Sequence, residues 1–555
     1  MPVVTLYFDR ILKMLEGKVG REELINKLPH LALDLEEIQE DHIKVEYNPN
    51  RPDFSTDYGL ARALKGIFDL ELGAPKYDIQ DGNVKVMVED SVKSIRPYIV
   101  GLIAKDLRLD EESIRQLISM QEDLHHGLGR DRRVISIGLH NLDVIKPPFI
   151  YKAVEPSFSF IPLNENRCMS LRDILINTEV GLKYGKIIKD FEKYPLLVDS
   201  NNNVLSFPPI INGELTRVDI NTKNLFLDIT ALELKAALRA LSIIASVLID
   251  MGAKVERIEV DYRDKKILTP DMKSLLMKID FRLINKLLGL KLDKDEIFRC
   301  LRRCRLNVVK KGNAFYAEVP PYRVDIIHPV DIVEEVVIGL DLERIKPTLP
   351  EGANVGKRDE RSSLLDDFRM ALISQNFVEV MNFSLLSKKL LYEMVNREFS
   401  DGIKVEDPKS SEHEYLRDTL IPCLLQVLSN NTHAEYPQRI FEIGKVFLRN
   451  SNEEPVREEY RIVVAIAYSE ANYSEAKSSL SSLLYNTFGL DFETKPSFHP
   501  TFSYGRCASI RVDNEDIGVI GEIDPLVLEN FGLKVPVSLY EFSYDKLEKK
   551  FKARR

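Results

Sequence analysis

Tryptophan is absent from the 555 residues, cysteine is scarce, and no apolar run approaches the length of a membrane span. The five cysteines, at 168, 300, 304, 423 and 507, are odd in number and scattered, which fits a reducing compartment better than a disulfide framework. Cys300 and Cys304 sit one helical turn apart with no second Cys or His pair nearby, which argues against zinc. A spanning helix needs ~18 or more consecutive apolar residues, and the sequence offers none. The opening MPVVTLYFDRILKML has neither the basic start nor the apolar centre of a signal peptide. The expectation is a soluble, cytoplasmic protein with no membrane contact. A net charge of −10 argues against a nonspecific nucleic-acid binder. Arg130, Arg132 and Arg133, and the basic tail Lys549, Lys550, Lys552, Arg554 and Arg555, are local basic patches, candidates for RNA contact that taken singly read as solvated surface. Catalytic signatures are missing too: no Walker A loop, GxGxxG, HExxH or GxSxG occurs. The nine histidines are dispersed, and His125-His126 before Gly127 reads as an exposed helix end.

The apolar fraction, 44 %, is that of a globular protein, and the length implies roughly three to five domains. Residues 1–85 mix short helices and strands around Asn48-Pro-Asn-Arg-Pro-Asp53, a loop suited to recognising a ligand or, the simpler reading, to capping the following helix. Residues 86–265 read as a mixed α/β domain closed by an amphipathic helix from Leu232 to about Met251, with Gly252 as its stop. Residues 268–345 predict helix, helix, hairpin and helix, a winged-helix-like module. Gly289 stops the first helix, Asp293 and Glu296 box the second, and Gly312-Asn313 turns the hairpin. Lys346–Gly356 reads as a linker. Residues 357–555 carry strand patterns, with the polar stretch Arg449–Glu459 expected as an exposed loop.

Three stretches rise above this background. Around Leu205–Thr230, strand-like apolar runs are interleaved with Ser206, Asn212, Thr216, Arg217, Asp228 and Thr230. Such a cluster suits a pocket that reads hydroxyls and amides, and equally suits turn capping. Asp325, Asp331, Glu334 and Glu335 put four carboxylates within eleven residues. They suit Mg²⁺, whereas Asp331 with Glu334 also makes a capping box. Near Asn430–Phe447, Arg439 and Glu442 read as an ion pair or a substrate contact.

Taken in order, Asn50-Arg-Pro-Asp53, Pro208-Pro-Ile-Ile-Asn212, the carboxylates at 325–335, Ser429–Glu442 and Gly521-Glu-Ile-Asp-Pro525 resemble the β subunit of phenylalanyl-tRNA synthetases of the archaeal and eukaryotic branch. The resemblance implies an α+β multidomain fold: a mixed α/β editing domain, a winged-helix-like domain and a class II synthetase-like antiparallel-sheet core. It implies a phenylalanine-tRNA ligase working as an (αβ)₂ heterotetramer with tRNA(Phe), with the charging site on the α subunit. Residues 480–555 contain no GxGxxR-type motif, so the core here is expected to be non-catalytic. The resemblance further implies that Leu197, Ser206, Asn212, Thr216, Arg217, Asp228 and Thr230 line a pocket that hydrolyses Tyr-tRNA(Phe). It also implies that Asp325, Asp331, Glu334 and Glu335 hold Mg²⁺. The alternative is a non-enzymatic RNA- or protein-binding scaffold with an inert editing fold.

Overall fold

Alternation decides the central strand, Leu225–Ala231. Residues 225, 227, 229 and 231 join the core beneath the helix Leu234–Asp250, and Phe226 joins the core on the opposite face of the sheet. Asp228 and Thr230 follow Phe226 to that second face, because successive strand side chains alternate. The helix holds to the expected span within two residues at its start, and Gly252 ends it at φ 90°. The structure, a computed structural model, describes residues 2–350, 352, 355–450 and 454–554. It divides into two compact units, Met1–Leu349 and Pro350–Arg555. Among the described residues no helix is long and apolar enough to cross a membrane.

In the first unit the large sheet runs in the order Ile211–Asn212, Val204–Phe207, Tyr194–Val198, Phe149–Val154, Gln80–Val88, Lys254–Asp261, Tyr98–Lys105, Leu225–Ala231, Ile135–Asn141, with Lys266–Thr269 added on Lys254–Asp261. Most pairings are antiparallel, and Gln80–Val88 runs parallel to both its neighbours. The two edge strands approach each other, so that Asn212 Nδ2 lies 3.4 Å from the Leu139 carbonyl. Curling thus covers two edges that would otherwise be open to pairing.

At the N-terminal side, a three-stranded sheet (Val3–Tyr7, His42–Glu46, Asp34–Ile38) packs with the helix Asp57–Ile67. Thr56, not the Asn48–Asp53 loop, caps that helix, accepting the Gly59 amide at 3.2 Å. Asp53 instead takes a two-pronged contact from Arg51, both arms at 2.9 Å. Residues 275–340 form the expected helices Phe281–Leu288, Lys294–Arg303 and Pro329–Leu340 with a hairpin, plus an unexpected strand, Leu275–Lys278. Asp293 and Glu296 make the capping box, and Gly289 is left-handed at φ 66°. Arg62 stitches these parts together. Its guanidinium meets Asp250 at 2.6 Å and lies 3.9 Å over the Tyr322 ring, nearly buried.

The second unit is a seven-stranded sheet, ordered Val378–Glu379, Gln438–Arg449, Val456–Ala467, Val537–Ser543, Glu515–Ile523, Phe502–Val512, Glu493–Pro496. Only the Val378–Glu379 edge is parallel. The expected loop Arg449–Glu459 is shorter than read: Arg449 and Val456–Glu459 belong to the strands Gln438–Arg449 and Val456–Ala467, which pair along their full length. Its charges misled the reading because they pair across and along the ladder, as Glu459 does with Arg457 and Arg461. Residues 451–453 lie outside the described set. Arg439 and Glu442 do not pair with each other; Arg439 meets Glu475 and Glu442 meets Arg417.

Candidate functional site

The curled sheet encloses two adjoining cavities. The first, about 320 Å³, has Ser206 and Asp228 in its lining among Ile137, Phe207 and Ile211. Asp228 is 1 % exposed and directly opposes Gly138 across the strand pair. A Cβ at 138 would collide with Asp228 Oδ1 and lie 2.6 Å from His140 Nε2, so only glycine leaves room for the contact those two groups make. That contact is 2.8 Å long, and His140 Nδ1 lies 2.8 Å from Thr216 Oγ1. His140 is fully buried and stacks on Phe226, centroids 6.0 Å apart. Burial pushes the Asp228 carboxyl above its ordinary range, against the pull of His140 and then Arg96.

Ser206 is 3 % exposed, and its hydroxyl has no hydrogen-bond partner. Buried hydroxyls are ordinarily bonded. An unmet one in a residue of the cavity wall leaves hydrogen-bonding capacity unused there. Asn212 lines both cavities, while Thr216 and Arg217 line the second, about 220 Å³. Leu197 and Thr230 sit behind the walls. Leu197 is in the apolar core with Phe149, Tyr151 and Phe226, and Thr230 accepts from Arg96 Nε at 3.0 Å. Burial holds the Arg96 guanidinium down to about 10, with its other bonds going to the Thr230 and Arg133 carbonyls.

At the rim, Arg130, Asp131 and Arg132 have φ of 46°, 55° and 64°. A left-handed non-glycine residue costs about 1–2 kcal/mol, so three in a row need support. Arg132 supplies it, bonding Glu122 at 2.7 Å and the Ile210 carbonyl at 2.9 Å, 4.4 Å over the Tyr184 ring. Arg132 is therefore part of the cavity wall, whereas Arg130 and Arg133 are exposed as expected. His125 departs from its expected exposure as well. It is 1 % exposed, accepts the Ile137 amide on Nε2 at 2.8 Å and faces Glu122 through Nδ1 at 3.0 Å. Despite burial, His125 and Arg132 hold the Glu122 carboxyl at about 2.

Sequence reasoning missed His140, Arg96 and Glu122. His140 had a signal: Ser136, Gly138 and His140 alternate with Ile135, Ile137 and Leu139, a polar face on an apolar strand. Arg96 had none, because its partners lie 37 and 134 residues away.

Two of the four carboxylates at 325–335, Asp325 and Glu335, hold Arg323, which is 5 % exposed. Arg323 bonds Asp325 at 2.7 and 3.0 Å and grips both oxygens of Glu335, one at 2.8 Å. Asp331 accepts the Ile327 and His328 amides at 2.7 and 2.6 Å, in a capping box with His328 rather than Glu334. Glu334 alone has neither ion pair nor side-chain hydrogen bond. Burial, then the charges of Glu335, Asp325 and Asp331, push its carboxyl up. No group of three or more ligating side chains is preassembled among the described residues. Of the four carboxylates expected to hold Mg²⁺, Asp325 and Glu335 are taken by Arg323, which leaves Asp331 and Glu334 as the two without an ion pair.

Residues 277–341 match the tRNA synthetase B5 domain, and residues 345–544 match the phenylalanyl tRNA synthetase beta chain CLM domain. The phenylalanine–tRNA ligase beta subunit of Archaeoglobus fulgidus is 38% identical over 544 residues, covering 98% of each chain. That of Pyrococcus furiosus is 38% identical over 546 residues, covering 96% of this chain and 98% of its own. The crystal structure of an N-terminal fragment of the Pyrococcus horikoshii subunit matches with a TM-score of 0.59 and 37% identity, over 61% of this chain and 99% of the fragment. Near-full-length similarity of this kind, on a fold of several α/β layers, places the chain in the beta-subunit family of phenylalanine–tRNA ligases, which are aminoacyl-tRNA synthetases.

Proposed function

We propose that this β subunit, beside an α partner that charges tRNA(Phe) with Phe, clears Tyr from mischarged Tyr-tRNA(Phe) in the 320 Å³ cavity. The observation that carries the reading is the pair of buried polar groups on an otherwise apolar wall: the unpartnered Ser206 hydroxyl and the Asp228 carboxylate. A phenol entering there meets both. Its O–H donates to Asp228, whose Oδ1 is held by His140, and its oxygen accepts from Ser206. A phenyl ring leaves both groups unmet, at about 1–3 kcal/mol, or ten- to hundredfold in selection. A synthetic site built for Phe rejects the added hydroxyl by only about 10²-fold, which is why a second, phenol-reading pocket is useful. Asn212, whose 3.4 Å bond to Leu139 is long, is free to position the attacking water.

The test is release of Tyr from preformed Tyr-tRNA(Phe) by the reconstituted (αβ)₂ enzyme of the cytoplasm, with Phe-tRNA(Phe) as control. Asp228→Ala should erase the preference for Tyr, and Asn212→Ala should slow hydrolysis itself. Parent-like clearance by both variants would sink the reading in favour of an inert scaffold.

The same reading gives Mg²⁺ a structural place at Glu334 and Asp331, where it would offset the charge crowded around Glu334. Adding Mg²⁺ should raise the thermal midpoint of the parent and not of Glu334→Gln. Equal shifts in the two would remove the site.

A further inference from the structure

We infer that a small cavity of about 10 Å³ in the first unit, remote from the curled sheet's two chambers in its lining, is a halide site. The ion would fasten the helix Asp57–Ile67 to the module at residues 275–340. Five arginines line the cavity: Arg51, Arg62, Arg303, Arg305 and Arg323. A guanidinium stays protonated in a protein, so burial cannot discharge this wall. Two of the five are answered from within the wall, Arg51 by Asp53 and Arg323 by Glu335. The other three meet carboxylates that do not line the cavity: Asp250 for Arg62, Asp69 for Arg303 and Glu71 for Arg305. Asp69 and Glu71 are also more than a third exposed, where solvent weakens their hold.

The donors of these three are incompletely used. Arg62 and Arg305 are each 5 % exposed, and Arg62 Nη2 and Arg305 Nε are buried without a hydrogen-bond partner. Arg303 Nε is a third such atom, 3.5 Å from Asp69 Oδ1. Buried polar groups are ordinarily bonded, so three unmet N–H groups on the arginines of one cavity amount to capacity for one shared acceptor. The volume suits about one water-sized sphere and is too small for a tetrahedral oxyanion. A water offers two lone pairs and brings two protons that need acceptors of their own. A monatomic anion accepts from all three donors, brings no proton and offsets the charge. The two elements that supply the donors are in close contact. A Cβ on Gly66, in the helix Asp57–Ile67, would collide with the Arg303 carbonyl and lie 2.9 Å from Arg305 Cδ.

Two measurements on the full chain test this. Crystals grown in sodium bromide should show an anomalous peak in the cavity, in contact with Arg62, Arg303 and Arg305. In solution, hydrogen exchange is followed as sodium chloride replaces sodium gluconate at constant ionic strength, gluconate being too large to enter. Exchange over Asp57–Ile67 should slow about tenfold for each ~tenfold rise in chloride beyond half-saturation. Gln438–Arg449 of the second unit, a control for general salt effects, should not respond. Arg305→Lys keeps the charge, removes the Nε donor and should lose the slowing. A bromide map without the peak, whether the cavity holds water or nothing, overturns the assignment. A peak with no slowing at Asp57–Ile67 means an adventitious ion only and overturns it as well. Equal slowing in both segments, or in Arg305→Lys, does the same. Should that variant fail to fold, the bromide map and the parent's exchange decide by themselves.

Discussion

Both large sheets bury carboxylates, and they treat them in opposite ways. In the second unit, Glu442 is 1 % exposed and meets Arg417 at 2.7 Å and Asn382 at 2.8 Å. Glu541 there is met by Arg461, by the Thr419 hydroxyl at 2.8 Å and by the Leu420 amide at 2.6 Å. Each is neutralised, and its lone pairs are filled. In the first unit, Asp228 has an imidazole on one oxygen and an unpartnered serine in the same cavity wall. A filled network specifies packing, and an unfilled one bordering a cavity leaves binding capacity. The difference is between a sheet whose buried carboxylates are fully paired and one that leaves bonding capacity at a cavity.

The contrast breaks most severely at Arg417. Arg417→Met strands Glu442 in the interior and should destabilise its sheet by about 3–5 kcal/mol. Native-state hydrogen exchange at Gln438–Arg449 would report it, and protection unchanged within a few-fold would show the pair to be dispensable. Next comes Gly138→Ala. The added methyl forces Asp228 and His140 apart, at about 1–3 kcal/mol. Faster exchange along Ile135–Asn141 should accompany loss of Tyr preference, and an unaltered preference would mean that the His140 contact does not orient Asp228.

Acid probes the rim. His125 is held below its ordinary value of 6.5 by burial, with Arg132 adding repulsion, so the unfolded chain binds the proton more readily. Its stabilisation is present above pH 6.5 and drains as the pH falls below that value. Glu122, held at about 2, contributes stability above its unfolded value of 4.5 and loses it between 4.5 and about 2. Both slopes point the same way. Glu122→Gln should flatten the lower arm of an acid unfolding curve and, by removing the charge that favours the His125 proton, lower His125 further and steepen the upper arm; identical curves would show that the Glu122 contacts add nothing. Smallest in stability is Ser206→Ala, expected within about 0.5 kcal/mol of parent, because the hydroxyl removed has no partner to lose. Tyr clearance should nonetheless fall by roughly tenfold. A large loss of stability would mean that the hydroxyl is satisfied after all.

What the sequence made legible was local. Asp293 with Glu296, Gly289 and the Gly312-Asn313 turn encode their geometry within a few residues, and all three appear as expected. Ser206, Asn212 and Asp228 could be placed at one cavity because strand alternation sends them to a common side. Thr230 obeys the same alternation, yet it lies behind the wall because Arg96 fills the space in front of it. The Arg130–Arg132 turn was illegible, since no glycine or asparagine advertises three left-handed residues. The carboxylates at 325–335 read as one cluster, but the charge that organises two of them sits two residues upstream on Arg323.

Arg62 decides how the first unit can be taken apart. Its guanidinium touches Asp250 of the helix behind the large sheet and Tyr322 of the downstream module, from a helix that belongs to the N-terminal core. Excising residues 86–265 as a separate piece would leave Asp250 without its cation. The same cut would expose the aromatic seam of Tyr77 and Tyr322 to water. Cavity, helix and module are therefore expected to melt as one cooperative body, and a shortened chain that keeps the cavity intact should be cut near residue 349 rather than inside it.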